Sequence, residues 1–302
     1  MVKRSPFWIF FLQDLTNRTK LSKTLKRQNS KTEIEHDKEK KKSECDYIQE
    51  MYTYFSSREG FTSVRPLYME EQDHLNESMR AILVDWLIEV HCTFHLAPAT
   101  LFLCVNIVDR YLEHKLVYRQ DFQLVGVTAL WIASKYEDIQ PIPLKQVVDV
   151  CANAYTKKQI FEQERQILEQ LHFHLSIPTS LTFLFRFLKV SNANKPMAHM
   201  SMYLLEGTLG SYTLLHYLPS QMAAAAVYIA RQNHNQQNPW SPALTEYTGY
   251  TQQDILPVAK AIWNEKKSLN EQTETVAELT AVQRKYRSER YSCVANMTLR
   301  GV

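Results

Sequence analysis

The residues of this sequence that could do chemistry are dispersed rather than clustered. His172 and His174 flank Phe173 at the end of a helical stretch, where an exposed or internally satisfied imidazole is the ordinary outcome and a metal ligand the exception. Five cysteines (Cys45, Cys92, Cys104, Cys151, Cys293) form no CxxC pair, the pattern of reduced, mostly buried thiols in the cytosol or nucleus. There is no glycine-rich phosphate loop, no nucleophile elbow and no HExxH. The expectation is a protein that is not an enzyme and needs neither metal nor cofactor. What remains are charges in notable places: Arg80 inside an apolar stretch, Lys135 within Ser134-Lys135-Tyr136-Glu137-Asp138, and Glu164.

Arg80 belongs to the stretch 79–91. At about 100° per residue, Met79, Ile82, Leu83, Trp86 and Val90 share one side of a helix, and Ala81, Val84, Leu87 and Ile88 the other. A surface helix has one apolar stripe. With two, one faces the domain's own core, and the other is buried by more of the chain or is a docking surface. Arg80 falls on the side expected to be core, where a guanidinium requires a buried anion.

The elements that position these charges read as helices throughout, and only six glycines agree with that. Tyr47, Ile48, Met51, Tyr54 and Phe55 lie at helical spacing over 45–58; Gly60 and Pro66 then break the chain, and Asn76 N-caps the helix that carries Arg80. Pro98 starts a helix to about His114. Another covers 119–138, with a seam of Gly126, Ala129 and Ala133 that permits close packing. Pro141-Ile142-Pro143 introduces a short helix to about Ala152, and Thr156 with Gln159 forms a capping box for one ending near Gln170. After the linker Ile177-Pro178-Thr179 the plan recurs, with helices expected at 179–190, 195–215, 219–233, 242–248 and 252–268. Tyr155-Thr156-Lys157-Lys158-Gln159-Ile160 is echoed by Tyr250-Thr251-Gln252-Gln253-Asp254-Ile255, and Trp131-Ile132-Ala133 by Tyr228-Ile229-Ala230, at offsets of 95 and 97 residues. Two motifs at near-equal offsets argue for duplicated five-helix units. The tail around 284–290 reads as a short helix packed on the second unit, or frayed.

The duplication makes two charges informative. Lys135 has Gln232 as its counterpart, and Glu164 has Ala259. A charge kept in one copy of a repeated fold is not required by the fold, although a solvated surface explains it equally well.

Charge is uneven along the chain. Residues 1–44 hold twelve Lys or Arg against six Asp or Glu; with +3 overall, the body carries about −3. The basic stretch is polar and is expected not to fold. Lys38-Glu39-Lys40-Lys41-Lys42 reads as a solvated charge run or a nuclear-import patch. Phe7 to Leu12 is too short for a signal sequence, and no run approaches a membrane span. The chain therefore reads as soluble and intracellular, with neither membrane nor nucleic acid among its partners.

Met79-Arg80-Ala81-Ile82-Leu83-Val84-Asp85-Trp86-Leu87 also resembles the opening helix of the cyclin box, close to the mitotic A- and B-type pattern, and similar stretches run from about Tyr47 to Tyr250. The resemblance implies an all-α chain of two tandem five-helix cyclin folds preceded by a short helix: a basic tail (1–44), an N-terminal box with its preceding helix (45–176), and a C-terminal fold and tail (177–302). It implies a regulatory subunit that binds and activates a cyclin-dependent Ser/Thr kinase in G2/M control, in nucleus and cytoplasm. Lys135 and Glu164 fall on the pair with which cyclins hold the backbone beside the kinase's C-helix. A lysine donates up to three hydrogen bonds and a carboxylate accepts several, so the pair can grip both polarities of a main chain. Tyr136, Leu168, Phe173 and Leu175 correspond to apolar contacts, as do Tyr47 and Met51. Arg80 corresponds to an arginine paired with an aspartate of the second helix, here Asp109. Met79, Ile82, Leu83 and Trp86, with Arg119 and Gln123, match the groove that recruits Arg-x-Leu substrates or inhibitors, Glu89 meeting the motif's arginine. Leu12-Gln13-Asp14-Leu15-Thr16-Asn17 resembles the later half of a destruction box, with Ile9 where an arginine should begin it. A transcription-type cyclin, a cyclin-fold transcription factor and a non-activating scaffold are the alternatives. The factor predicts an N-terminal zinc ribbon and a basic body, and neither is present.

Overall fold

The structure is a computed structural model in which residues 31–272 and 281–301 are described, with side chains described for 47–268 and 281–301. The destruction-box resemblance lies outside the described residues.

Among the described residues twelve helices follow in order: α1 (Lys31–Thr62), α2 (Glu77–Thr93), α3 (Pro98–His114), α4 (Phe122–Glu137), α5 (Leu144–Val150), α6 (Lys157–Gln170), α7 (Ser180–Val190), α8 (Lys195–Gly207), α9 (Pro219–Asn233), α10 (Pro242–Thr248), α11 (Gln252–Gln272) and α12 (Ala281–Tyr286), with short 3-10 turns between and after them. Among the described residues no strand occurs. Local chemistry sets many ends. Asn76 caps α2 by accepting from the Met79 amide at 2.9 Å. Thr156 and Gln159 close the capping box of α6, and Gly249 ends α10 at φ 75°, a conformation that costs glycine least.

Helices α2–α6 and α7–α11 are the two expected five-helix units. The third helix is the axis of each. In α4 every residue from Leu124 to Ser134 is buried, and in α9 every residue from Met222 to Arg231. The small-residue seam works as its composition suggests. A Cβ added at Gly126 would stand 2.8 Å from Leu83 Cδ1, so α2 seats directly on α4.

Both stripes of α2 feed a core, the first only in part, since Ile82 stays exposed and Met79 and Trp86 half-buried. Leu83, Leu87 and Val90 enter the core of the first unit, while Val84 and Ile88 enter that of the second. Of the two destinations open to the second stripe, burial by more of the chain is what occurs.

Three boundaries differ most from expectation. The leading helix begins at Lys31, inside the stretch expected not to fold, rather than near Cys45. The helix expected over 195–215 stops at Gly207, because the carbonyls of Leu209 and Gly210 turn away to accept from Arg80. The tail helix begins at Ala281 and packs against both α2 and α8, so it joins the two units instead of resting on one.

Candidate functional site

Arg80 is fully buried, and its anion is Asp109: Nε and Nη2 each donate at 2.7 Å, one to each carboxylate oxygen. The Tyr68 hydroxyl donates to the same carboxylate at 2.7 Å. Burial pulls the guanidinium pKa down, and the Asp109 charge and hydrogen bonds carry it back above its ordinary value. Nη1 reaches the carbonyls of Leu209 and Gly210, each at 3.0 Å. One side chain therefore joins α2, α3 and the loop after α8. Its role is structural, as its burial demands.

Lys135 and Glu164 are brought together. The ammonium in the last turn of α4 hydrogen-bonds the carboxylate of α6. It also sits 3.5 Å from the centre of the Trp131 ring. That ring is fixed by Nε1 donating to the Ile142 carbonyl at 3.0 Å and by edge contact with Phe161. Asp138 secures the end of α4 by accepting from the Ala97 amide at 2.8 Å and the Thr100 hydroxyl at 2.5 Å, at the otherwise uncapped start of α3. Lys135 keeps 36% and Glu164 16% of its side-chain surface. Each retains hydrogen-bonding capacity beyond their mutual bond, so the pair can still donate to a carbonyl and accept from an amide of another chain.

Apolar surface lies near it in the chain. Tyr136 follows Lys135 and is exposed; Leu168, one turn beyond Glu164, and Leu175 are half-buried. Phe173 is 67% exposed at φ 58°, after His172 at 49°, in a turn tied down by Arg110 donating to the His174 carbonyl at 2.8 Å. Two successive non-glycine residues in the left-handed region are costly, and here they turn an aromatic ring to solvent. Tyr47 is exposed and Met51 half-buried on α1, whose inner face, Tyr52 and Phe55, packs on the second unit's core. The candidate contacts thus come from elements held by different cores.

The second candidate surface is altered by the structure. Ile82 is exposed and Met79, Trp86 and Gln123 are half-buried, while Arg119 is exposed in a 3-10 turn just before α4. Leu83 is instead a core residue, 6% exposed, locked over Gly126. Glu89 is also not free: it is paired with Arg284 of α12.

Comparison with known proteins covers both units. Residues 50–176 match the cyclin N-terminal domain and residues 178–299 the cyclin C-terminal domain. The chain belongs to the cyclin family. Among curated cyclins it is 38% identical to Cyclin-B2-2 of Oryza sativa subsp. indica over 250 residues, covering 83% of this chain and 58% of that one. It is 41% identical to Cyclin-B1-2 of Arabidopsis thaliana over 228 residues, covering 76% and 51%. The chain thus spans just over half the length of these relatives. Among solved structures, a viral cyclin from herpesvirus saimiri superposes with a TM-score of 0.64 at 18% identity, covering 70% of this chain and 95% of that one. A chain of the yeast RNA Pol II CTD kinase CTDK-1 complex gives 0.52 at 14% identity, covering 70% and 75%. At these identities the two structures speak for the fold alone.

Sequence reasoning missed part of this cyclin's polar core. Glu206 in α8 is fully buried and accepts from Lys285 Nζ at 2.6 Å and from the Tyr286 hydroxyl at 2.8 Å. Burial lowers the Lys285 pKa, but the Glu206 charge raises it above the ordinary value. Glu59 near the end of α1 is likewise buried, against Ser220. The available signal was the duplication: Glu206 stands 97 residues after Asp109, the offset that relates Trp131 to Tyr228.

Proposed function

We propose that this cyclin is the regulatory subunit of a cyclin-dependent Ser/Thr kinase acting in G2/M control, and that it performs no chemistry itself. The observation that carries the reading is the pairing of Lys135 with Glu164 at an accessible surface of the first unit only, with exposed Tyr136 next to Lys135 in the chain and exposed Phe173 just past the end of the helix that carries Glu164. The similarity to B-type cyclins over most of the chain supports the mitotic assignment. The pair holds the backbone next to the kinase's C-helix, and apolar contacts around it supply the affinity. By binding the active arrangement of the kinase more tightly than the inactive one, the cyclin shifts its population. Going from about 1% to 99% active requires a preference of ~5.5 kcal/mol. The face around Ile82, Met79, Trp86 and Gln123 recruits Arg-x-Leu substrates or inhibitors, and the complex works in nucleus and cytoplasm. The transcription-type alternative draws on the yeast complex alone, whose low identity carries no function.

The test is a Lys135→Ala, Glu164→Ala double variant titrated with a purified cyclin-dependent kinase subunit. Binding should weaken about a hundredfold or more, as for a central interface cluster, with histone phosphorylation lost in parallel. Unchanged binding would leave a scaffold that does not activate.

A further inference from the structure

Helix α1 precedes the first unit in the chain yet is fastened to the second. Its inner face carries Tyr52, Phe55 and Glu59 at helical spacing. The Tyr52 hydroxyl donates to the Thr182 carbonyl at 3.1 Å, its ring meets Phe183, and Arg186 lies over it at 5.5 Å. Phe55 packs beside it against the same core. Glu59, 3% exposed, accepts from the Ser220 amide at 2.8 Å and from the Ser220 hydroxyl at 2.7 Å. The Tyr250 hydroxyl lies 2.6 Å from the same serine oxygen.

Ser220 is in the first turn of α9, whose flanking Leu218 offers no side-chain oxygen to the unpaired amides there. A carboxylate supplied from α1 fills that role, and it meets the positive end of the helix dipole. Burial raises the Glu59 pKa, and the two Ser220 donors oppose the rise. The adjoining face of α1, about 100° round the helix, presents Tyr47 and Tyr54 to solvent, with Met51 half-buried.

We propose that Glu59 is the positioning residue that sets the register of α1, and that the second unit contributes to kinase binding by holding this helix so that Tyr47 and Met51 face the kinase. The proposal rests on the kinase reading above. It assigns a task to a unit that lacks both charges of the Lys135–Glu164 pair. Apolar contact through Phe55 gives the helix its adhesion. The directional bonds of Glu59 to one specific helix terminus select a single placement along its length.

Full-length Glu59→Ala, Glu59→Gln, Ser220→Ala and Tyr47→Ala variants test it, read by kinase titration, thermal unfolding and amide exchange over 47–62. Glu59→Ala should raise exchange in that segment and weaken kinase binding tenfold or more, with little change in exchange within α2–α6. Glu59→Gln keeps an acceptor for the amide and should recover binding to within about threefold. Ser220→Ala, which removes one donor, should fall between the two. Tyr47→Ala added to Glu59→Ala should weaken binding no further. A Glu59→Ala variant that binds like wild type while Tyr47→Ala still weakens binding would overturn the proposal and leave the kinase reading intact. Equal losses in Glu59→Ala and Glu59→Gln would also overturn it. If Lys135→Ala and Tyr47→Ala both leave binding unchanged, the kinase reading falls and takes this proposal with it.

Discussion

The two units solve the same burial problem with different parts of the chain. Each second helix buries a carboxylate that receives a cation and a tyrosine hydroxyl. Asp109 takes them from Arg80 of its own unit and from Tyr68, while Glu206 takes them from Lys285 and Tyr286 of the C-terminal segment. The third helices diverge in the same sense. Gln232, the counterpart of Lys135, donates to the Gly301 carbonyl at 3.2 Å, and the Arg300 amide donates to Asn233 at 3.0 Å. At their starts, Ser220 is covered by α1, while its counterpart Gln123 is only half-buried. The second unit is completed by α1 and the segment 281–301; the first buries its own carboxylate but leaves the two ends of α4 partly accessible. A repeated fold here divides labour by what covers it.

The comparison is broken most severely at Glu206. Lys285→Ala leaves that carboxylate buried without its cation and should cost about 3–5 kcal/mol, measured by urea unfolding. Exchange should rise first in α8 and α12. Uniform loss of protection across both units would show that they unfold as one and that the division is not energetic.

Acid should act next, at the seam between the tail and the first unit. His91 on α2 is buried, its Nε2 bonded to the Ala97 carbonyl at 2.9 Å and its Nδ1 without a partner. Burial, and then the nearby Lys285 charge, lower its pKa to about 4. The neutral imidazole is thus favoured in the fold. Its contribution is complete above about pH 6.5 and is lost as pH falls toward 4, a change of about 3 kcal/mol. His91→Gln should flatten the unfolding midpoint over that window; an unchanged slope would assign it to other groups.

The open and covered helix ends are separated by two single variants. Lys135→Ala should weaken kinase binding at least tenfold with little effect on the unfolding midpoint, since an ion pair that stays partly in water contributes little to folding. Gln232→Ala should leave kinase binding alone and release only the last residues, seen as faster exchange around Gly301. The smallest effect is expected at Glu89. Arg284→Ala frees that carboxylate, so an Arg-x-Leu peptide should bind more tightly by up to about fivefold at low salt, and an Ala-x-Leu peptide should not. Equal gains for both peptides would mean that Arg284 obstructs by size rather than by charge.

Sequence by itself determined most of the helices, because their starts, stops and seams are local, and their duplication, because two local motifs recur at near-equal offsets. Asn76, Pro98, Thr156 with Gln159, and the seam at Gly126 each act within a turn or across one helix contact. It also required an anion for Arg80, since a buried guanidinium admits no alternative. Only the tertiary structure decided where the second stripe of α2 goes, why α8 ends at Gly207, and which carboxylates are buried. Those outcomes depend on residues some 80 to 160 positions away: Lys285 on Glu206, Glu59 on Ser220. A lysine in a basic tail and a glutamate in a polar helix look solvated in any local window. Their burial is imposed by which surfaces the packed units bring together, and helical periodicity carries no information about that.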